Sequence, residues 1–421
     1  MAHRRVPLVA GSLALLLGIT VILLLHHSIP RVDSLPSLAA GEPAFTAAME
    51  AHTASPIVGG NVVRLLLNGD EIIPAKVAAI RAARTTINYA EYFYAEGAVA
   101  RQIAEALAER CRAGVTANIL LDGVGSLSMS SGDASLMRDA GCHVHTFRPL
   151  AGLTLRRRNT RNHRRILVVD GRVGLTGGSG VSDKWVGNGR IDGHWRDTDA
   201  RVEGPAVRWL QSAFAENWRE ATGEVLGDAG YFPELERLGD QRAQIIRSSP
   251  ALGSYAMYTM YLLAIASARR TIQVTNPYFL PDDQMEDALR AAVARGVHVT
   301  VITPGKIDHN LVRSASRRGF GGLLRAGIEI YEYQAALLHS KTMVIDGVWA
   351  TLGSTNFDRR SFALNDELNL VLYDRAVVAR LVDVFQQDLS RSRRVTYEAW
   401  AKRGLRAKLL EIFVIPLESQ L

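Results

Sequence analysis

From Ala75 onward the hydrophobic positions alternate between two periods. Ala75 to Arg84 and Val99 to Ala113 carry apolar residues three and four apart, which predicts amphipathic helices. Thr86 to Tyr92 and Thr116 to Leu121 are short apolar, β-branched runs of strand length. The same order returns later, with helical patterns at Tyr258 to Arg269 and Asp283 to Arg295 and strand patterns at Thr271 to Thr275 and Val297 to Thr303. Alternating β and α elements predict an α/β fold built from mixed sheets flanked by helices.

The recurrence is an internal repeat. Ala79 to Ile87 is echoed by Ala264 to Ile272, Ala140-Gly141 by Ala326-Gly327, and His163 to Gly171 by His339 to Gly347, at separations of 185, 186 and 176 residues. Separations of this size indicate two copies of one α/β unit and exclude a solenoid, whose period is shorter. The expected division is residues 61–240 and 241–400, with the boundary around Leu238-Gly239-Asp240. Before the repeat, Arg4-Arg5 precedes Val6 to Leu25, twenty uncharged and mostly apolar residues, enough to cross a bilayer core of ~30 Å. His26-His27 does not resemble a cleavage site, so residues 1–30 are read as a retained transmembrane helix. The arginine pair outweighs Arg31, which puts the N-terminus in the cytoplasm and the globular part outside the inner membrane. Residues 31–60, with Pro36, Pro43, Pro56 and Gly59-Gly60, read as a linker holding a short helix near Ala44 to Ala51. Residues 401–421 form a basic amphipathic tail, suited either to lie on anionic lipid or to dock on the second copy.

Composition narrows the partners. The 421 residues are 48% hydrophobic and 22% charged, as in an ordinary globular protein. A net charge of +7 favours anionic partners: acidic lipid, nucleic acid or phosphorylated metabolites. Cys111 lies in a helical pattern and Cys142 at the head of an apolar alternation, so both are expected as buried free thiols. There is no C-x-x-C or H-E-x-x-H, and no metal or cofactor is expected.

The candidate chemistry is densest from His339 to Glu367. His339 and Lys341 are two apart beside a predicted strand and share a face. Asp346-Gly347 then turns the chain, and Ser354 and Asn356 follow a second apolar run. An imidazole beside an ammonium, with hydroxyl and amide donors, suits attack on phosphorus. Lys341 would neutralise non-bridging oxygens, His339 would serve as nucleophile or acid, and Glu367 would orient its ring. His163, Arg165 and Asp170 hold the matching positions in the first copy, with arginine for lysine. Asp170 and Asp346 stand in the motif as catalytic candidates and also as turn residues. Arg156, Arg157, Arg158, Arg161, Arg164 and Arg165 crowd the approach to His163, either as a solvated face or as a rim for anionic headgroups.

These residues resemble the paired H-x-K-x4-D motifs of the phospholipase D superfamily, and Asn356 to Phe362 followed by Asn365 to Asn369 is similar to bacterial cardiolipin synthases. The resemblance implies two tandem domains whose sheets pack together with the active site between them. It also implies that Trp195-Arg196-Asp197 supplies the acid partner, Asp197, of the first half. In the Gly-Ser-x-Asn frame the first copy has Gly178, as the resemblance leads one to expect of a first copy, and Gly180 at the Asn position, so one donor to the phosphate oxygens is missing. The implied reaction joins two phosphatidylglycerols through a phosphohistidine, His163 acting as nucleophile and His339 as acid and base. Hydrolysis of phospholipids is the alternative. A nuclease is a weaker reading, since the basic stretches are poor in aromatic residues.

Overall fold

The computed structural model describes residues 28–151, 155–306, 310–404 and 411. The expected transmembrane helix and most of the basic tail lie outside the described residues, and no described helix is long and apolar enough to cross a membrane.

Each half repeats one seven-stranded order. In the first, strands 143–147, 116–122 and 86–91 run parallel, and strand 86–91 then pairs antiparallel with 166–169, followed by 173–177, 198–203 and 58–67. In the second, 329–333, 298–304 and 271–275 are parallel and 342–345, 349–353, 367–372 and 241–248 complete the series, with 392–395 on the outer edge. The expected mixed sheets are present, but they are not separate. Strand 58–67 also pairs with 241–248, through a register shift between Val58 and Asn61, and joins all 15 strands into one hydrogen-bonded sheet. That sheet folds back on itself. Ile166, Val168, Ala200 and Val202 of the first half pack with Ala350, Leu352, Leu368 and Leu370 of the second in one core. Strands buried on both faces read as near-continuous apolar runs, as Ile166 to Val169 and Met343 to Ile345 do.

The two Asp-Gly turns are built alike. Asp170, Gly171, Asp346 and Gly347 all have positive φ, from 53° to 67°, the geometry of a two-residue hairpin turn matched to strand twist. Asp346 accepts the backbone N–H groups of Arg269, Arg270 and Thr271 at 2.7–2.8 Å. Asp170 does the same for Arg84, Thr85 and Thr86. Each carboxylate pins the start of the neighbouring strand, at the end of its own strand remote from the histidine. Their place in the catalytic list is therefore corrected: both are turn residues.

Two further expectations change. The segment before the repeat is not a free tether throughout, because helix 43–53 buries Phe45 and Met49 completely in the second-half core, Phe45 edge-on to Trp349. Ala44 to Ala51 alternates too few apolar residues to reveal this docking. Cys111 and Cys142 are not free thiols. Helix 98–112 packs beside helix 131–139 and brings their Cα atoms to 5.5 Å, where they form a disulfide.

Candidate active site

The two histidines, each just before a strand of its own half, share one cleft of ≈ 470 Å³, lined from the first half by Tyr92, Trp185 and Trp195 and from the second by Tyr278, Asn356 and Arg360. Both are buried, at 6% exposure. Their backbones are tied across the halves: His163 N–H donates to the Asp366 carbonyl at 2.9 Å and His339 N–H to the Arg196 carbonyl at 2.8 Å.

The carboxylate partners cross over. His163 Nδ1 lies 2.9 Å from Glu367 Oε1, and His339 Nδ1 lies 2.7 Å from Asp197 Oδ2. The sequence reading placed Glu367 with His339 and Asp197 within the first half; each instead serves the opposite histidine. The reason is the fold-back. Strands 198–203 and 367–372 face each other across the shared core, so the residues just before or at their starts meet the partner motif. An ionised carboxylate only accepts, so Nδ1 carries the proton in both rings and Nε2 keeps its lone pair for the cleft.

A cation stands beside each ring. Lys341 Nζ lies against the edge of His339, 2.8 Å from Nδ1 and 3.0 Å from Nε2, and Arg165 Nη2 is 3.3 Å from His163 Nε2. Burial pushes both imidazoles down to about 4, against the pull of their carboxylates and helped by Arg165 beside His163 and Lys341 beside His339. Burial works to raise Asp197 and Glu367, but His339, Lys341 and the Trp185 N–H at Asp197, and His163 with the Ser354 and Ser361 hydroxyls at Glu367, together hold both carboxyls below their ordinary range.

The supporting residues differ between halves. Ser354 does not line the cleft; its hydroxyl donates to Glu367 Oε2. Asn356 does line it, at 6% exposure. Arg165 has an acidic neighbour in its own half. Its Nε is 3.7 Å from Glu91, which also neighbours Lys76 at 3.9 Å, and Lys76 hydrogen-bonds Ser179 at 2.9 Å. Burial pushes the Glu91 carboxyl up to about 7. This acid–base chain and Trp185 were missed in the sequence; the arginine in the lysine position was the one signal pointing to an extra buried acid. The arginine-rich approach is also corrected, since Arg161, Arg164 and Arg165 are buried, and Arg164 spends its donors on Glu216, Asn217 and backbone carbonyls. Only Arg157 and Arg158 of the described residues in that stretch are exposed. No group of acidic, histidine and cysteine side chains able to hold a metal occurs among the described residues.

This arrangement has close relatives. Residues 261–389 match a family described as "Cardiolipin synthase, PLD-like domain". The chain is 35% identical over 359 residues to a cardiolipin synthase of Geobacillus kaustophilus, covering 85% of this chain and 72% of that one. It is 34% identical over 364 residues to a cardiolipin synthase of Staphylococcus epidermidis, covering 86% and 74%. A phosphatidylserine synthase structure from Haemophilus influenzae shares the fold, with a TM-score of 0.63 at 12% identity over 89% of this chain and 97% of that one. Two motif histidines with crossed carboxylates, in a chain so related over most of its length, place this protein in the cardiolipin synthase family of the phospholipase D superfamily.

Proposed function

We propose that the protein is a membrane-associated phosphatidyltransferase that makes cardiolipin from two phosphatidylglycerols. The observation that carries this is the pair of carboxylate-anchored imidazoles, each with a cation beside its ring, facing one cleft. In the first step His163 Nε2 attacks phosphorus, the bond from phosphorus to the glycerol headgroup oxygen breaks, and His339 delivers a proton to that oxygen. In the second, a hydroxyl of another phosphatidylglycerol gives its proton to His339 and attacks phosphorus. The phosphorus–nitrogen bond then breaks, which releases cardiolipin and frees His163. Arg165, Lys341 and Asn356 are suited to hold the non-bridging oxygens, while Glu367 and Asp197 keep the rings aimed. Without substrate, burial keeps both rings neutral; an anionic diester entering the cleft favours the charged ring that His339 needs as an acid.

A lipid substrate suits the surface around the cleft. Leu127, on its rim, is 69% exposed, and Lys184 lies over the rings of Phe93 and Trp195. The disulfide fits a catalytic body on the oxidising, extracytoplasmic side of the inner membrane. The test is to incubate the detergent-purified protein with phosphatidylglycerol and identify products by mass spectrometry. Cardiolipin with free glycerol is expected; phosphatidic acid alone would mark a hydrolase.

A further inference from the structure

The first half departs from the Gly-Ser-x-Asn pattern at Gly178, against the Asp197 carboxylate, and at Gly180, against Phe93 and Trp185. In the second half the Ser354 hydroxyl secures Glu367 and Asn356 faces the cleft. At the corresponding Gly178, an added Cβ would stand 2.2 Å from Asp197 Oδ1. At Gly180 it would stand 2.9 Å from the Phe93 carbonyl oxygen and 3.1 Å from the Trp185 ring. The space is already filled. Trp185 is 1% exposed, and its indole Nε1 donates to Asp197 Oδ2 at 2.9 Å. That same oxygen accepts from His339 Nδ1, and the indole meets the His339 ring edge to face, 5.2 Å between centroids.

We propose that Trp185 is the positioning residue of the His339 half, its indole N–H holding the carboxylate oxygen that receives the imidazole while the Thr198 backbone N–H holds the other at 2.9 Å. The proposal rests on the phosphatidyl-transfer reading for its rate effects. The Thr198 N–H fixes Oδ1 only; the rigid indole fixes Oδ2, the oxygen that receives the imidazole N–H, so His339 Nε2 stays aimed at the cleft. The same ring gives the first-half wall an apolar surface where Asn356 gives the opposite wall an amide. The missing asparagine is thus not a lost function awaiting repair: Gly180→Asn would displace Trp185 and lower turnover.

The test uses the full-length protein in phosphatidylglycerol–detergent micelles. It compares wild type, Trp185→Phe, and a variant carrying benzothienylalanine at position 185, which keeps the shape of indole without its N–H. The expected result for the isostere is an unchanged melting temperature, a kcat lower by roughly ten- to a hundredfold, and a KM within about twofold. In an Asp197→Ala background the same replacement should cost less than about twofold, because the acceptor of the hydrogen bond is gone. An isostere as fast as wild type, or one whose loss is equal with and without Asp197, would overturn the proposal. A second readout does not depend on turnover. Among the charged groups facing His339, removing the indole donor leaves Lys341 and Arg165 in place and concentrates the Asp197 charge on the ring. The His339 titration midpoint, followed by NMR of labelled imidazole, should rise; an unmoved midpoint overturns the proposal. If wild type makes no lipid product the functional reading fails, and the titration alone decides the role of Trp185.

Discussion

Glu367→Gln isolates the crossed carboxylate without changing the volume of the side chain. The orientation of the new amide is dictated by its neighbours. Ser354 donates to Oε2, whereas Oε1 is the oxygen nearest His163 Nδ1, so the amide oxygen takes the place beside Ser354 and the NH2 group faces His163 Nδ1. That nitrogen must then accept, its proton moves to Nε2, and the nucleophile loses its lone pair. Two approaches give the size of the loss. Removing a unit charge ~4 Å from a developing imidazolium at an effective dielectric of ~20 forfeits about 4 kcal/mol, or roughly three powers of ten. The matching carboxylate-to-amide change in serine hydrolases costs about ten-thousandfold. A fall in kcat of roughly 10³- to 10⁴-fold is therefore expected, with KM little changed. Cardiolipin formation would be followed by mass spectrometry in mixed micelles, with circular dichroism to confirm folding. A variant within about tenfold of wild type, or one whose loss appears in KM, would refute the tautomer reasoning.

Three other outcomes follow from the same geometry. In the free protein His163 and His339 should titrate near 4, well below the ordinary 6.5, and added inorganic phosphate should raise both midpoints, because an anion in the cleft favours the charged rings; midpoints at or above 6.5 without phosphate would contradict the burial argument. Phe45→Ala should destabilise the protein by roughly 3–5 kcal/mol in denaturant unfolding, whereas a loss under about 1 kcal/mol would mean that helix 43–53 is not part of the core. Replacing Cys111 and Cys142 together by serine opens a loop whose ends are 31 residues apart, for an expected loss of roughly 3–4 kcal/mol; an unchanged unfolding midpoint under oxidising conditions would show that the bond does not form.

Much of the architecture was legible because it rests on local signals. The helical and strand periods around Thr86 to Tyr92 and Thr271 to Thr275 mark elements that form within a residue or so of the expected ends. The Asp-Gly pairs mark turns whose positive φ suits glycine. What the sequence withheld depends on which strands meet after the sheet folds back. Nothing local to Asp197 says that its histidine is 142 residues away, or that Glu367 reaches back 204 residues to His163. Pairing by nearest motif is the natural guess, and it fails because the active site is an interface between repeats. The same holds for Cys111 and Cys142, joined through helix packing, and for Arg164, which looks like surface charge in a run of arginines but is fully buried among acceptors. Trp185 was hidden for another reason: the position that matches it in the second copy is Ser361, so the repeat gives no hint of an indole reaching Asp197.

The central claim is that two histidines, one from each half, share a single phosphatidyl transfer. Its most direct test is to incubate wild type, His163→Ala and His339→Ala with phosphatidylglycerol and analyse the lipids and released glycerol by mass spectrometry. Cardiolipin and glycerol in equal amounts from wild type, with neither product from either variant, is the predicted result. Full activity in one variant, or phosphatidic acid in place of cardiolipin, would contradict it.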